Sequence, residues 1–173
     1  MPPAPTSAIR TERLVLEPLR IVDASEMVAV LSDEALYTFT GGGPPSLAAL
    51  EMQYTNQIAG PSSGEEVWHN WVIRPAATGR AVGFVQATVT GAVADVAWVM
   101  GVDWQGRGFA SEAASAMCGW LQSQGVEQIT AHIHPRHVAS QRVAVSVGLQ
   151  PTREVDSDGE VVWLSVPQAT VGG

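Results

Sequence analysis

The feature that most narrows the possible folds is a change of hydrophobic period at residue 109. Upstream lie three short segments rich in β-branched and aromatic residues: Trp68–Arg74, Ala81–Val89 and Asp95–Val102. Turn residues separate them, first Pro75-Ala76-Ala77-Thr78-Gly79 and then Gly91. Such close spacing predicts three strands in an antiparallel meander. From Phe109 to Gln124 the period becomes helical, with Ala113, Met117, Trp120 and Leu121 along one face and Gly125 as the stop. A chain that switches from sheet to helix in this way needs a layered α/β or α+β architecture.

The other segments fit that frame. Arg13–Leu19 reads as a strand, its proline marking an edge or an end. Asp23, with Glu26 three residues on, reads as the capping box of a helix whose apolar face is Met27, Val30 and Leu31. Ser46 caps a helix over Leu47–Ala59, which Gly60 and Pro61 stop. Gln128–Ile133 is a strand and Val138–Val147 a short helix closed by Gly148. Thr152–Val155 and Val161–Val166 flank a turn at Asp156-Ser157-Asp158-Gly159 and form a hairpin. The order is β-α-α-β-β-β-α-β-α-β-β, which predicts a mixed sheet with helices on both faces. Residues 1–10, with three prolines, are expected as a loose arm, residues 11–166 as one domain, and residues 167–173 as a tail.

Composition excludes several classes. A chain of 173 residues, 46% hydrophobic and 15% charged, suits one domain with a real core. It has no apolar run long enough to span a membrane. Prolines occupy the start, where a signal peptide needs an apolar stretch. The single cysteine, Cys118, forms no internal disulfide and reads as a buried structural thiol. A reducing, cytoplasmic location is therefore expected. All nine basic residues are arginine. Without lysine there is no pyridoxal phosphate Schiff base, no lysine aldolase and no P-loop. A net charge of −8 argues against general nucleic-acid binding and favours a cationic partner.

The junction itself carries the chemistry. Val99-Met100-Gly101-Val102-Asp103-Trp104-Gln105-Gly106-Arg107-Gly108-Phe109-Ala110-Ser111-Glu112 takes a strand through a glycine-rich turn into a helix. The first amides of a helix lack internal partners, and the helix dipole adds positive charge there. Gly106 and Gly108 remove side chains that would keep a phosphate away, and Arg107 can add a charged contact. Three readings compete. Gly106-Arg107-Gly108-Phe109-Ala110-Ser111 has two of the three glycines of a dinucleotide fingerprint, with Glu127 about 20 residues on as a ribose partner. That motif should follow the first strand of a parallel unit, however, and here it follows a meander. The second reading is a tight turn that binds nothing.

The third is a family resemblance. Gln105-Gly106-Arg107-Gly108-Phe109-Ala110 is similar to the Q/R-x-x-G-x-G/A signature of the GNAT superfamily of acyl-CoA-dependent N-acyltransferases. Thr11-Glu12-Arg13-Leu14-x-Leu16 with Asp23-Ala24, then Asp95-Val96-Ala97-Trp98, Ala110-Ser111-Glu112-Ala113, and Ser140 through Gly148-Leu149 resemble the subgroup that acetylates ribosomal-protein N-termini. The resemblance spans roughly residues 10–166.

It implies the GNAT fold, with acetyl-CoA as the acyl donor in a V-shaped cleft between the strands at 95–102 and 128–133. The pyrophosphate would rest on the turn, against Gln105, Gly106, Arg107, Gly108, Phe109, Ala110 and Ser111. Backbone groups near Val99, Met100, Gly101 and Val102 would pair with the pantetheine arm. His137 occupies a position where the family usually has an asparagine contacting pantetheine or substrate.

Direct attack by an amine needs a base, and Asp95 is where the family often places a strand carboxylate. Its alternative is a solvated strand-end aspartate. The family's usual tyrosine acid is replaced by Ala144, which leaves Ser140 as the candidate donor to the thiolate or as a backbone-bonding serine at a helix start. Glu112 in the first helical turn suits the dipole. The acceptor implied is a primary amine, either a protein N-terminus or a small molecule. A homodimer is compatible with the family. The loop 32–45, with Asp33 and Glu34, is the candidate acceptor side. His132, His134 and His137 lack a fourth ligand nearby, so no metal is expected. Because the tyrosine is missing and His137 departs from the pattern, a non-catalytic acyl-CoA-binding module of the same fold stands as the alternative.

Overall fold

The structure, a computed structural model, describes residues 4–166. The expected tail at 167–173 and the first three residues of the arm lie outside the described residues. The elements are β1 (Ile9–Arg10), β2 (Leu14–Pro18), α1 (Ala24–Val30), α2 (Leu47–Ala59), β3 (Glu66–Pro75), β4 (Gly83–Thr90), β5 (Val93–Met100), α3 (Phe109–Ser123), β6 (Gln128–Ile133), α4 (Val138–Ser146), β7 (Leu149–Val155) and β8 (Val161–Ser165). They form one eight-stranded sheet in the order β1-β2-β3-β4-β5-β6-β8-β7. Every neighbouring pair is antiparallel except β5–β6, where α3 supplies the crossover that a parallel pair requires.

Helices cover both faces, as the element order predicts. On one face α3 and α4 pack Ala113, Met117, Leu121 and Ala144 against Leu16, Trp71, Val85, Ala94 and Val96. On the other, Met27 of α1 and Leu50 and Tyr54 of α2 cover Val72 and Ala81. Period-two alternation along β5 sends Ala94, Val96 and Met100 to the α3 core and leaves Asp95 exposed on the opposite side. The Cys118 thiol lies in the core, where burial pushes it up to about 12.

Three local expectations change. The arm is anchored where it is described. Ile9 and Arg10 pair with Leu16 and Val15, Ser7 O accepts the Trp71 indole N–H at 2.8 Å, and the Thr6 hydroxyl lies 2.8 Å from His69 Nδ1. A fully buried indole needs an acceptor, and the arm supplies it. Asp23 and Glu26 do not form a capping box. Asp23 lies in a 3-10 turn and accepts Arg20 N–H at 2.8 Å and Arg74 Nη2 at 3.0 Å. Glu26 accepts Arg74 Nη1 and Ala81 N–H, each at 2.8 Å. The buried guanidinium of Arg74 competes for these carboxylates and wins over the helix end. Its Nε is also 3.0 Å from Glu17, an ion pair in which the N–H is not aimed as a hydrogen bond. Lastly, β7 begins at Leu149, three residues before the expected hairpin strand.

Candidate active site

The parallel pair β5–β6 is short. Its register is Val93↔Gln128, Ala94↔Ile129 and Asp95↔Thr130, and beyond Asp95 the two strands part. From Val96 to Met100 the edge of β5 that faces β6 is therefore open. The alternation of an antiparallel ladder decides which groups line the gap. Gly101 N–H donates to Val82 O at 2.8 Å, so Met100 and Gly83 form a non-hydrogen-bonded pair. Val99 then turns its amide and carbonyl to β4, while Trp98 and Met100 turn theirs to the gap. This corrects the expected contacts: of Val99, Met100, Gly101 and Val102, the first and third face β4. Val102 has left the strand for a 3-10 turn. Gln105 Nε2 donates to Met100 O at 3.0 Å, which ties the turn to the strand end.

At the wide end of the gap is the glycine turn. Gly106 and Gly108 have φ of +76° and +79°, the left-handed region that side chains rarely adopt. Placed on either side of Arg107, they turn successive N–H groups to one side. Among the described residues no acceptor takes the amides of Gly106, Arg107, Gly108, Phe109, Ala110 or Ser111; the first amide of the helix to be bonded is Glu112 N–H, to Gly108 O at 3.1 Å. A Cβ on Gly106 would project into open space, so that side of the turn is accessible.

Of the two arginines at the turn, the one expected to meet a phosphate points away from it. Arg107 folds back over the Trp104 ring, 4.9 Å from its centroid, and donates to Asp103 O at 3.3 Å. Arg13 of the N-terminal segment lies against the turn instead. It donates to Arg107 O at 2.9 Å and stacks over Phe109 at 4.6 Å. Glu112 holds it there, with Arg13 Nε 2.7 Å from Oε1 and the Arg13 N–H and Thr11 hydroxyl on Oε2. Burial would raise the Glu112 carboxyl, but those hydrogen bonds outweigh it and hold the group below its ordinary value. Glu112 thus clamps the turn to the segment that leads into β2, as well as suiting the helix dipole.

Asp95 stands at the vertex where β5 and β6 part. Its side chain is 51% exposed, yet the surrounding protein raises its carboxyl. The Thr130 hydroxyl, 3.0 Å from Oδ1, and the nearby His132 oppose that rise. Across the opening, Trp98 Nε1 donates to Ser140 Oγ at 3.0 Å, while Ala144, where the tyrosine would stand, is fully buried.

Residues 13–150 match the family described as the acetyltransferase (GNAT) domain. The chain belongs to the GNAT acetyltransferase family. Solved structures agree on the fold. An acetyltransferase of the GNAT family from Bacillus anthracis is 18% identical, with a TM-score of 0.78 over 92% of this chain and 98% of that one. A Vibrio cholerae protein, provisionally assigned as a ribosomal-protein-serine acetyltransferase, is 19% identical, with a TM-score of 0.76 over 95% and 99%. The aminoglycoside acetyltransferase AAC(6')-Ib, solved with paromomycin and acetyl-CoA, is 17% identical, with a TM-score of 0.74 over 90% and 94%. No curated protein matches the sequence significantly.

Of the four histidines of this GNAT domain, the three between 132 and 137 do not converge on one site. His132 Nδ1 lies 2.8 Å from Asp156 Oδ2, and His134 Nδ1 accepts the Arg136 N–H at 3.0 Å. His137, at the start of α4, stacks on Phe39 at 4.7 Å. Burial, aided by His134, lowers the His137 imidazole and favours its neutral form. Phe39 belongs to the 32–45 loop, which the structure therefore brings against the β6–α4 connection. Asp33 accepts Ala35 N–H at 2.8 Å and caps the short turn Glu34–Tyr37. Arg13, Thr130 and Asp156 were missed as site residues. Arg13 had a local signal, the Thr11–Leu16 motif; Thr130 and Asp156 join only through strand register. Among the described residues no helix is long and apolar enough to cross a membrane.

Proposed function

We propose that this GNAT domain transfers an acetyl group from acetyl-CoA to a primary amine. The observation that carries the reading is the row of amides from Gly106 to Ser111, with no protein acceptor, at the N-terminus of α3. Amides so placed, with the helix dipole behind them, suit a diphosphate. The acetyl-CoA bound to AAC(6')-Ib supports the same donor here. From Met100 to Val96 the open edge of β5 runs about 13 Å at roughly 3.3 Å per residue, with Asp95 one residue further on. An extended pantetheine arm could follow it, meeting the backbone of Met100 and Trp98 and bringing the thioester to the vertex at Asp95. His137 and the turn from Gln105 to Ser111 border that path.

The chemistry needs no enzyme nucleophile. The acceptor ammonium loses a proton to Asp95 and the free amine attacks the thioester carbonyl. As the tetrahedral intermediate collapses, the C–S bond breaks and the Ser140 hydroxyl gives its proton to the departing thiolate; the attacking nitrogen sheds its second proton to solvent, and solvent reprotonates Ser140 and takes the proton held by Asp95. Because the Trp98 N–H occupies one lone pair of Ser140 Oγ, the hydroxyl proton is free to point elsewhere. An α-amine, with a pKa near 8, is easier to deprotonate than a lysine near 10.4, so protein N-termini lead the acceptor classes. Small-molecule amines follow; AAC(6')-Ib, solved with the aminoglycosides paromomycin and ribostamycin, is a relative of that kind.

The buried Ala144 favours a second reading, a domain that binds acyl-CoA without turning it over. Calorimetric titration with coenzyme A, followed by a thiol-release screen over peptides, amino acids, polyamines and aminoglycosides, separates the two. Binding with turnover supports the transferase, and binding without turnover of any amine supports the module. No binding at all would remove both.

A further inference from the structure

Two residues of β6 reach Asp95, and both meet the same oxygen. Thr130 Oγ1 donates to Oδ1 at 3.0 Å, and His132 Nε2 lies 3.6 Å from Oδ1. Among the described residues Oδ2 has no hydrogen-bond partner, which leaves it for an incoming ammonium. The other ring nitrogen of His132, Nδ1, is 2.8 Å from Asp156 Oδ2. Asp156 belongs to the tight turn between β7 and β8, where its Oδ1 accepts the N–H groups of Asp158 and Glu160, each at 2.9 Å. Those bonds fix the carboxylate so that its second oxygen faces the ring. The shorter contact places a proton on Nδ1, and Nε2 is then the atom that Asp95 meets.

We infer that His132, braced by Asp156 of the terminal hairpin, is a positioning residue that keeps Asp95 ionised and aims its free Oδ2 at the acceptor amine. The catalytic part rests on the transferase reading; the coupling of the three side chains rests on geometry alone. The charged groups facing His132 are Asp95 from β5 and Asp156 and Glu160 from the hairpin. His134 and Asp158 act on Glu160. Burial works to lower the imidazole, but the hydrogen bond to Asp156 and the three carboxylates outweigh it and raise it. The ring stands between two carboxylates, which favour its protonated form. Without it, only the Thr130 hydroxyl opposes burial and the negative field of Asp156, both of which raise the Asp95 carboxyl.

The test follows the Asp95 carboxyl by carbon-13 NMR titration, assigned with Asp95→Asn, beside the pH profile of kcat/KM. In His132→Gln the Asp95 midpoint and the acid limb should both move up by about one unit, with KM for acetyl-CoA unchanged. His132→Arg restores a cation and should return both toward wild type. Asp156→Asn should lower the midpoint of the His132 ring. An Asp95 midpoint that stays in place in His132→Gln overturns the inference, even if the variant melts earlier, because a purely structural histidine would change stability alone. If the wild-type protein acetylates no amine, a midpoint that still moves keeps the coupling and removes only the transferase reading. His132 lies at the surface, 36% exposed by side chain, so the variants are compatible with a folded chain.

Discussion

In the proposed mechanism, acyl transfer turns on Asp95 and Ser140. Replacing Asp95 by Asn keeps the shape and removes the base. The expected result is a fall in kcat of about a hundredfold with KM for acetyl-CoA unchanged, measured by thiol release; an unaltered kcat would remove Asp95 from the reaction. Trp98→Phe keeps the ring and deletes the N–H that holds Ser140. A few-fold loss in kcat without loss of coenzyme A affinity is expected, and it should vanish in a Ser140→Ala background, where there is no hydroxyl left to orient. Asp95 and Ser140 could be named as candidates from a motif resemblance. Their partners could not. Thr130 meets Asp95 through the register of a parallel pair, and Trp98 meets Ser140 across 42 positions of chain. His132 was visible only as part of a histidine run, with nothing local to say that a hairpin carboxylate would face it.

Between the elements, the Arg74 cluster ties β3 to β2 and α1. Its guanidinium is 9% exposed by side chain and faces Asp23, which is 1% exposed. Arg74→Leu would leave that buried carboxylate with Arg20, itself 62% exposed, as its remaining cation, at a cost of about 3 kcal/mol. For a domain of this length the melting temperature should fall by roughly 10 °C, read by calorimetry. Glu26 adds a pH dependence. The Ala81 N–H first, and then Arg74, hold its carboxyl below the ordinary value. A depressed folded pKa contributes stability that is present above the unfolded value, near 4.3, and lost as pH falls through the folded one. Glu26→Gln should flatten the decline in melting temperature between pH 5 and 3; an unchanged slope would show that Glu26 is not its source. The sequence reading made Asp23 and Glu26 a helix cap because their spacing fits one. A buried arginine on a strand 51 residues away from Asp23 took both carboxylates instead.

As a whole, the molecule is a sheet that separates at one place, with a helix N-terminus at the wide end of the opening. If the turn holds a diphosphate, coenzyme A binds the native state alone and raises its stability. At a hundred times the dissociation constant the gain is about 2.7 kcal/mol, or roughly 5–10 °C in melting temperature. Gly108→Glu should abolish that rise relative to its own ligand-free melting point. There the residue has φ of +79°, and its Cβ would come within 3.3 Å of Arg13 Nη2. A variant that still gains several degrees with coenzyme A would refute the cradle.

Apart from β1, which lies in what reads as a loose arm, the local order of elements, the helices on both faces and the glycine turn were legible in the linear sequence, because each depends on short-range periodicity and on glycines at fixed offsets. Strand pairing was not, since register is set by how the two cores close. That register alone decided that β5 and β6 part after Asp95 and that Trp98 and Met100 line the gap. It also brought Thr130 and His132 to one oxygen of a carboxylate, a meeting of side chains from separate strands that no local pattern records.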